Sequence, residues 1–416
     1  MNVWNDWNGW NLVCAIRSKR SSRSKCSNRR AARIEEKTFM DFKLTEEQKL
    51  IRNTAAQFVQ RELLPREGAY LKQEELFLPP GDPPRRELDP DIREVLVRRA
   101  RQVGLWALEL PESAGGSAMS VMARVLIQRE FGRTILPFEP LCIPALMAEN
   151  NHVKEIVDGK LALGFAFDEV HKTGTLQSIR TRYREIAGGY LLSNASIDVI
   201  EPGSDLYLFP AKEEGTERVG LFLLDKNTPG LSIGDEVDLT TDTSVGRLTL
   251  RDCKLRSEQL LGYEYEVAAI IAAEQLRIAA RSLGIGMRCL ANSIDHARNR
   301  VTFGRPLAQR QAIQWMLADL SIVLRTCTWL TLEAAWRADQ ELPYFHAAAL
   351  AKKRAAKMAF EAADTAIQLH GGYGVCKEFP FEGFYREARM MRLLYGREAE
   401  IDRTIGERFL REGDRQ

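Results

Sequence analysis

The hydrophobic period of this chain changes twice, and few folds accommodate both changes. Thr45-Glu-Glu-Gln48 has the form of a helix capping box. Behind it Ile51, Ala55, Phe58, Val59 and Leu63 recur at helical spacing. The Pro-rich stretch Leu78-Pro-Pro-Gly-Asp-Pro-Pro84 interrupts that pattern, which resumes at Ile92, Val95, Leu96, Ala100 and Val103. A turn-rich connection over 104–116 leads to a further helix from Met119 to Phe131. Near residue 161 the period shortens. Leu161–Phe167, Tyr190–Leu192, Asp205–Phe209, Val219–Leu224, Leu231–Ile233 and Gly246–Leu250 are short apolar runs separated by Gly, Pro and Asp turns, the pattern of an antiparallel β domain. From about 264 the helical period returns and persists to about 412, with helices expected from 266, 307, 345 and 398. The reading is α+β: an N-terminal helical domain over 40–160, a middle β domain over 161–262 and a C-terminal four-helix bundle over 263–416.

Residues 1–39 stand apart. They hold nine Lys/Arg against three acids, with three tryptophans by position 10. A Ser/Arg-rich, acid-poor stretch has the character of an organelle transit peptide. Met40-Asp-Phe-Lys-Leu-Thr-Glu-Glu-Gln already reads as a complete protein start, however, which makes 1–39 a disordered or non-native extension. A phosphate-binding tail is a third reading. With this segment set aside, the chain's 59 basic and 57 acidic residues leave the body with four more acids than bases. That balance argues against a nucleic-acid groove. No apolar run reaches the length of a membrane-spanning helix. The seven cysteines are scattered, odd in number and without a Cys-x-x-Cys pair, which fits a reducing compartment, a bacterial cytoplasm ahead of a mitochondrial matrix. The five histidines show no His-x-x-x-His spacing, so no metal is expected.

Two motifs carry chemistry. The first is Arg300-Val-Thr-Phe-Gly-Arg-Pro-Leu-Ala-Gln-Arg-Gln311, and the second is Gln368-Leu-His-Gly-Gly-Tyr-Gly374. Gly371, Gly372 and Gly374 let backbone approach a ligand closely and expose its N–H groups. Arg300 can neutralise a pyrophosphate by a forked contact. Taken singly, a Gly-rich turn after a helix also reads as a C-cap, and an Arg near Phe-Gly as a loop anchor. Taken together, Arg-x-x-Phe-Gly-x-Pro-Leu-x-x-x-Gln followed 68 residues after its Arg by Gln-x-x-Gly-Gly-x-Gly resembles the acyl-CoA dehydrogenase family. The resemblance covers about 40–412, and Asn227-Thr-Pro-Gly-Leu-Ser232 before Leu260-Leu-Gly262 adds to it. It implies that Arg300, Thr302, Phe303 and Gln311 contact FAD from one subunit. Gln368, Leu369, His370, Gly371 and Gly372 would contact the ADP portion of FAD held by a neighbour. A shared site implies a homo- or hetero-oligomer, typically a tetramer. The implied reaction is α,β-dehydrogenation of an acyl-CoA thioester: a dry carboxylate takes the α-proton, the β-hydride leaves for flavin N5, and an electron-transfer flavoprotein receives the electrons.

The chain departs from the family where the base usually stands. That carboxylate belongs to a Tyr-Glu-Gly-Thr segment after an Arg-Asp-Ala-Arg/Lys run. Here Arg386-Glu-Ala-Arg389 is followed by Leu393-Leu-Tyr-Gly-Arg-Glu-Ala-Glu400, and Tyr395 or Gly396 takes the place of the Glu. Glu398 and Glu400 are offset. A minority of the family carries the base on the first bundle helix, 26 residues before the motif Arg, which here is Glu274. The alternative for Glu274 is an exposed carboxylate paired with Arg277 at i+3. The β domain also departs. Phe167–Gly174 replaces the expected Thr/Ser-Glu-Pro-x-Ala-Gly-Ser-Asp loop, Glu201-Pro-Gly-Ser-Asp205 comes too late to be it, and Ile197-Asp-Val199 replaces a Trp-x-Thr flavin contact. Three functional expectations follow: a dehydrogenase using Glu274, a base-less partner subunit of a heteromeric dehydrogenase, or a flavin monooxygenase or enoyl-CoA reductase on the same fold.

Overall fold

A computed structural model describes residues 43–72, 88–167, 169, 176–200, 202–241 and 243–412. The N-terminal extension over 1–39, the Met40 start, the Pro-rich stretch at 78–84, most of 168–174 and Glu201 lie outside the described residues.

The first helix, α1 (Glu46–Phe58), begins as its sequence dictates. Thr45 Oγ1 accepts from the Gln48 amide at 3.1 Å and Gln48 Oε1 accepts from the Thr45 amide at 3.0 Å. Helical backbone continues through Val59–Arg66 into α2 (Glu67–Leu71). Asp89 caps α3 (Pro90–Gln102) by accepting from the amides of Asp91 and Ile92. Ser120 caps α4 (Val121–Phe131). A short α5 (Val153–Val157) ends the N-terminal helical part.

The middle of the chain forms two sheets. Strands β1 (Leu163–Phe165), β2 (Arg182–Ile186), β3 (Gly189–Leu192), β5 (Leu206–Glu213), β6 (Val219–Asp225), β9 (Cys253–Arg256) and β10 (Leu260–Gly262) make the larger, in the order β10-β6-β5-β2-β3-β9 with β1 also on β5. Strands β4 (Ala195–Ile200), β7 (Leu231–Asp238) and β8 (Ser244–Leu250) make the smaller, in the order β4-β8-β7. The expectation of a wholly antiparallel domain is corrected at one strand: β1 and β2 both pair with β5 in parallel. Strand β5 is buried along nearly its whole length, so its run lacks the alternation that marks a half-exposed antiparallel strand. A core of Tyr183, Ile197, Val199, Tyr207, Phe209, Phe222, Leu248 and Leu250 joins the strands.

The C-terminal part is led by three long helices, α6 (Glu264–Asn299), α7 (Gln311–Asp339) and α8 (Phe345–His370). Two shorter ones follow, α9 (Phe381–Met391) and α10 (Glu398–Glu412). A hairpin of β11 (Val301–Thr302) and β12 (Arg305–Pro306) separates α6 from α7. One close approach sets the geometry of the whole junction. A Cβ on Gly284 of α6 would collide with the backbone of Arg129 and Gly132, and one on Gly132 would collide with the backbone of Arg281. The end of α4 and the middle of α6 therefore touch backbone to backbone. The Asp339 carboxylate at the end of α7 accepts from the amides of Val121 at 2.7 Å and Met122 at 3.0 Å, fixing the other end of α4.

Candidate active site

The α4–α6 junction encloses a cavity of about 30 Å³, lined by Glu109, Arg124, Gln128, Cys142, Glu274 and Arg277 among others. Glu274 is only 7% exposed. The structure thus combines the two alternatives for this residue, burial and pairing. Its Oε2 accepts from Arg277 Nε at 2.9 Å and Nη2 at 2.8 Å. Arg277 also reaches Glu139 at 2.8 Å, and Glu139 accepts from Arg281 at 3.0 Å. Arg281 continues the chain of charges to Glu387 of α9, with its Nη2 3.1 Å from the carboxylate. Burial pushes the Glu139 carboxyl up, but Arg281 and Arg277 outweigh it and hold the group below the usual range. Glu109, paired with Arg124, is pushed up by burial, to which the negative charge of Glu274 adds. Glu109 is thereby driven toward its neutral form.

Tyr395, which with Gly396 is the sequence's candidate for the place of the usual base, lies within reach of the Glu274 and Arg277 charges. It is buried in a turn after α9, at a left-handed φ of 47°, followed by Gly396 at φ 109°. Gln275, next to Glu274 on α6, donates from Nε2 to the Tyr395 carbonyl at 2.9 Å. Burial, reinforced by the charge of Glu274, pushes the Tyr395 hydroxyl far above its ordinary range, so it stays a neutral phenol. The turn is held from below by Lys352 of α8, which donates to the carbonyls of Gly396 at 2.6 Å and Arg392 at 3.3 Å.

The two glycine-bearing motifs emerge at one end of the bundle. His296, one turn before Arg300, stacks on His370 with ring centroids 4.3 Å apart, and His370 immediately precedes Gly371. An open cleft of about 520 Å³ lies alongside, lined by Arg288, His296, His370, Glu378 and Phe381 among others. Arg300 is exposed where α6 ends. Phe303, at the tip of the β11–β12 hairpin, is 97% exposed and has a left-handed φ of 50°. The Arg310 guanidinium lies 5.6 Å from its ring and donates to the Thr302 carbonyl at 2.5 Å and hydroxyl at 3.0 Å. Gln311 is exposed at the first position of α7. In the second motif Gln368, Gly371 and Gly372 are exposed, and a Cβ on either glycine would meet nothing. Leu369 and His370 are buried. The His370 ring packs on His296 and Phe381, with Nδ1 2.7 Å from the Ala366 carbonyl, and it lines the open cleft. Gly374 has a packing role: a Cβ there would strike Ile367. The Ile197-Asp-Val199 segment buries both apolar side chains and pairs Asp198 with Arg247 at 2.8 Å.

Sequence reasoning passed over Glu109, Arg124, Gln128 and Glu139. The available signal was Arg124 and Gln128 four apart among Val121, Val125 and Leu126, two polar groups on an otherwise apolar helix face.

Residues 45–149 match the family model "Acyl-CoA dehydrogenase, N-terminal domain" and residues 262–410 match "Acyl-CoA dehydrogenase, C-terminal domain", together more than half of the chain. An acyl-CoA dehydrogenase of Bacillus subtilis is 28% identical over 88% of this chain and 98% of its own length. The (R)-benzylsuccinyl-CoA dehydrogenase of Thauera aromatica is 28% identical over 90% of this chain and 98% of its own. Among solved structures, butyryl-CoA dehydrogenase from Megasphaera elsdenii superimposes with a TM-score of 0.73 at 22% identity, covering 89% of this chain and 100% of that one. The ChsE4–ChsE5 complex from Mycobacterium tuberculosis gives 0.73 at 24% identity, covering 90% and 99%.

Proposed function

The chain belongs to the acyl-CoA dehydrogenase family, and on that premise we propose that it is an FAD-dependent oxidoreductase that dehydrogenates an acyl-CoA thioester with Glu274 as the base. The observation that carries the reading is a carboxylate buried in the α4–α6 cavity at the family's alternative base position. Near it is a neutral phenol, Tyr395, in the segment where the sequence sets Tyr395 or Gly396 in place of the more common base. A base must begin ionised, and Arg277 supplies the countercharge that lets Glu274 do so in a dry site. Taking the α-proton discharges Glu274, which frees Arg277 to lean on Glu139 alone.

The chain's other end fits FAD. Exposed Arg300 offers a cation to a pyrophosphate, Phe303 offers an open aromatic face, and Gly371 and Gly372 leave backbone that a ligand can approach without meeting a side chain. Thr302 can still donate from its hydroxyl although Arg310 occupies it as an acceptor. When bound, FAD supplies the acceptor for the hydride that leaves the β-carbon. The reading calls for an electron-transfer flavoprotein as the next acceptor and for an oligomer that shares the cofactor.

Replacing Glu274 by Gln keeps the shape and removes the base. The expected outcome is a fall of about 10²–10⁴-fold in kcat with KM little changed, the span typical of a lost general base. Bleaching of the flavin by an acyl-CoA in stopped flow reads this directly, and unchanged bleaching sinks the assignment. Neither Tyr395 nor Gly396 supplies a carboxylate at the usual base's place, which favours one second reading, a partner subunit that completes another chain's site. Flavin retained and bleached only when a second chain of the same fold is co-purified would select it.

A further inference from the structure

Two buried polar atoms in the α4–α6 cavity lack partners. Arg124 Nε, a donor, and Gln128 Oε1, an acceptor, are both buried without a hydrogen bond, and both side chains line the cavity that holds Glu274. They stand four residues apart on α4, which puts them on one face. Gln128 is 3% exposed. Its amide orientation is fixed by its neighbour. Gln128 Nε2 lies 3.6 Å from Cys142 Sγ, and that thiol spends its proton on the Pro140 carbonyl at 3.5 Å. The sulfur is thus left to accept, and burial pushes the Cys142 thiol far up, so it keeps its proton. Oε1 is therefore the atom of Gln128 without a partner. The other end of Arg124 is committed to Glu109.

Orphaned buried donors and acceptors are uncommon, and each is unfavourable until something satisfies it. A pair of opposite kind in one cavity selects the chemistry of the missing group. A carboxylate has no proton for Gln128 Oε1 and would crowd Glu109 and Glu274. An ammonium has no lone pair for Arg124 Nε. A hydroxyl, of water or of a ligand, donates to Gln128 Oε1 and accepts from Arg124 Nε. A cavity of about 30 Å³ holds roughly two water-sized groups, which suits a short polar end and not a hydrocarbon tail.

We infer that the acyl group this chain accepts is short and carries a hydroxyl, held between Arg124 and Gln128. The inference rests on the dehydrogenation reading for the thioester but not for the hydroxyl contacts. The α- and β-carbons are the reacting atoms, so the γ-carbon is the first position where a hydroxyl leaves the chemistry intact.

The test compares 4-hydroxybutyryl-CoA with butyryl-CoA. Calorimetric titration of the Glu274→Gln holoenzyme reads affinity without turnover. The hydroxylated thioester is expected to bind at least about fivefold more tightly, the equivalent of one hydrogen bond. Gln128→Met in the same background, near in volume and without the acceptor, is expected to erase the difference. Equal or weaker binding of the hydroxylated thioester, binding of neither, or a preference that survives Gln128→Met would overturn the inference. The two readings separate cleanly. A Gln128-dependent preference in a protein whose flavin neither thioester bleaches removes the dehydrogenation reading alone. Bleaching by both without a preference removes the hydroxyl alone.

Discussion

Lys352 is the most fully buried charge-bearing side chain in the bundle, at 0% exposure, and it holds the turn that carries Tyr395. Burial pushes its ammonium down to about 7. The neutral amine has two N–H groups for two carbonyls, those of Gly396 and Arg392, whereas the protonated form carries a third. In the unfolded chain the lysine titrates at its ordinary value near 10.5. Between pH 7 and 10.5 the unfolded state therefore binds the extra proton, and stability rises with pH across that window. Below about pH 7 both states are protonated and the cost of burying the charge is present in full. Urea unfolding of the wild type against Lys352→Met should show a difference that grows in favour of the wild type by up to about 1.4 kcal/mol per pH unit above 7. A difference that stays flat from pH 7 to 10 would remove the argument. At this same scale the sequence was an uneven guide. The place of Glu274 on the first bundle helix was legible from its distance to Arg300. The cavity's Arg124 and Gln128 were not, because their role depends on which face of α4 meets α6. The setting of His370 was not legible either: motif spacing gives the order of residues, but only the packing on His296 and Phe381 decides which way the ring turns.

Among the elements, the long helices were readable because a 3.6-residue period sustained over 26 to 36 residues leaves little room for another structure. The helix expected from 307 begins instead at Gln311, after a 3₁₀ turn over Leu307–Gln309, and α9 was not anticipated. Strands β2 and β4 also escaped notice. Arg182-Tyr-Arg-Glu-Ile186 is mostly polar, and β4 pairs an edge Asp198 with Arg247, so neither forms an apolar run. What no periodicity could reveal is the contact of α4 with α6 through Gly132 and Gly284, since a glycine in a helix reads locally as a mild defect. The tertiary cost of filling it is larger. Gly284→Ala is expected to lower stability by about 1–3 kcal/mol as the helices are forced apart, and to disturb the cavity between them. Gly406→Ala in α10, where a Cβ meets nothing, should be neutral or stabilise by about 0.5–1 kcal/mol. Thermal unfolding of the two variants side by side checks both signs; equal effects would mean that the close approach is unimportant.

Across the whole molecule, the apolar surface is distributed in a way a lone chain does not explain. Trp315, Ile322 and Trp329 are exposed and stand seven residues apart along α7, which sets them in one stripe. The stripe begins just beyond the hairpin that presents Phe303, and Tyr373 within the second motif and Val375 just after it are exposed. Large exposed apolar side chains in register mark a surface that association covers. The reading of the two motifs asks for such a surface, since one set of residues serves a cofactor that a neighbouring subunit also holds. Ile322 lies outside both motifs and outside the α4–α6 cavity, so a charge placed there tests association without touching either. Ile322→Asp is expected to convert the native oligomer to a smaller species in sedimentation velocity and to weaken flavin retention by at least tenfold, because each cofactor would lose the neighbour's contribution. Unfolding of the dissociated species should remain cooperative, since Ile322 is exposed within the single chain. A variant that keeps both the oligomer and its flavin would show that the stripe on α7 is not the surface through which subunits meet.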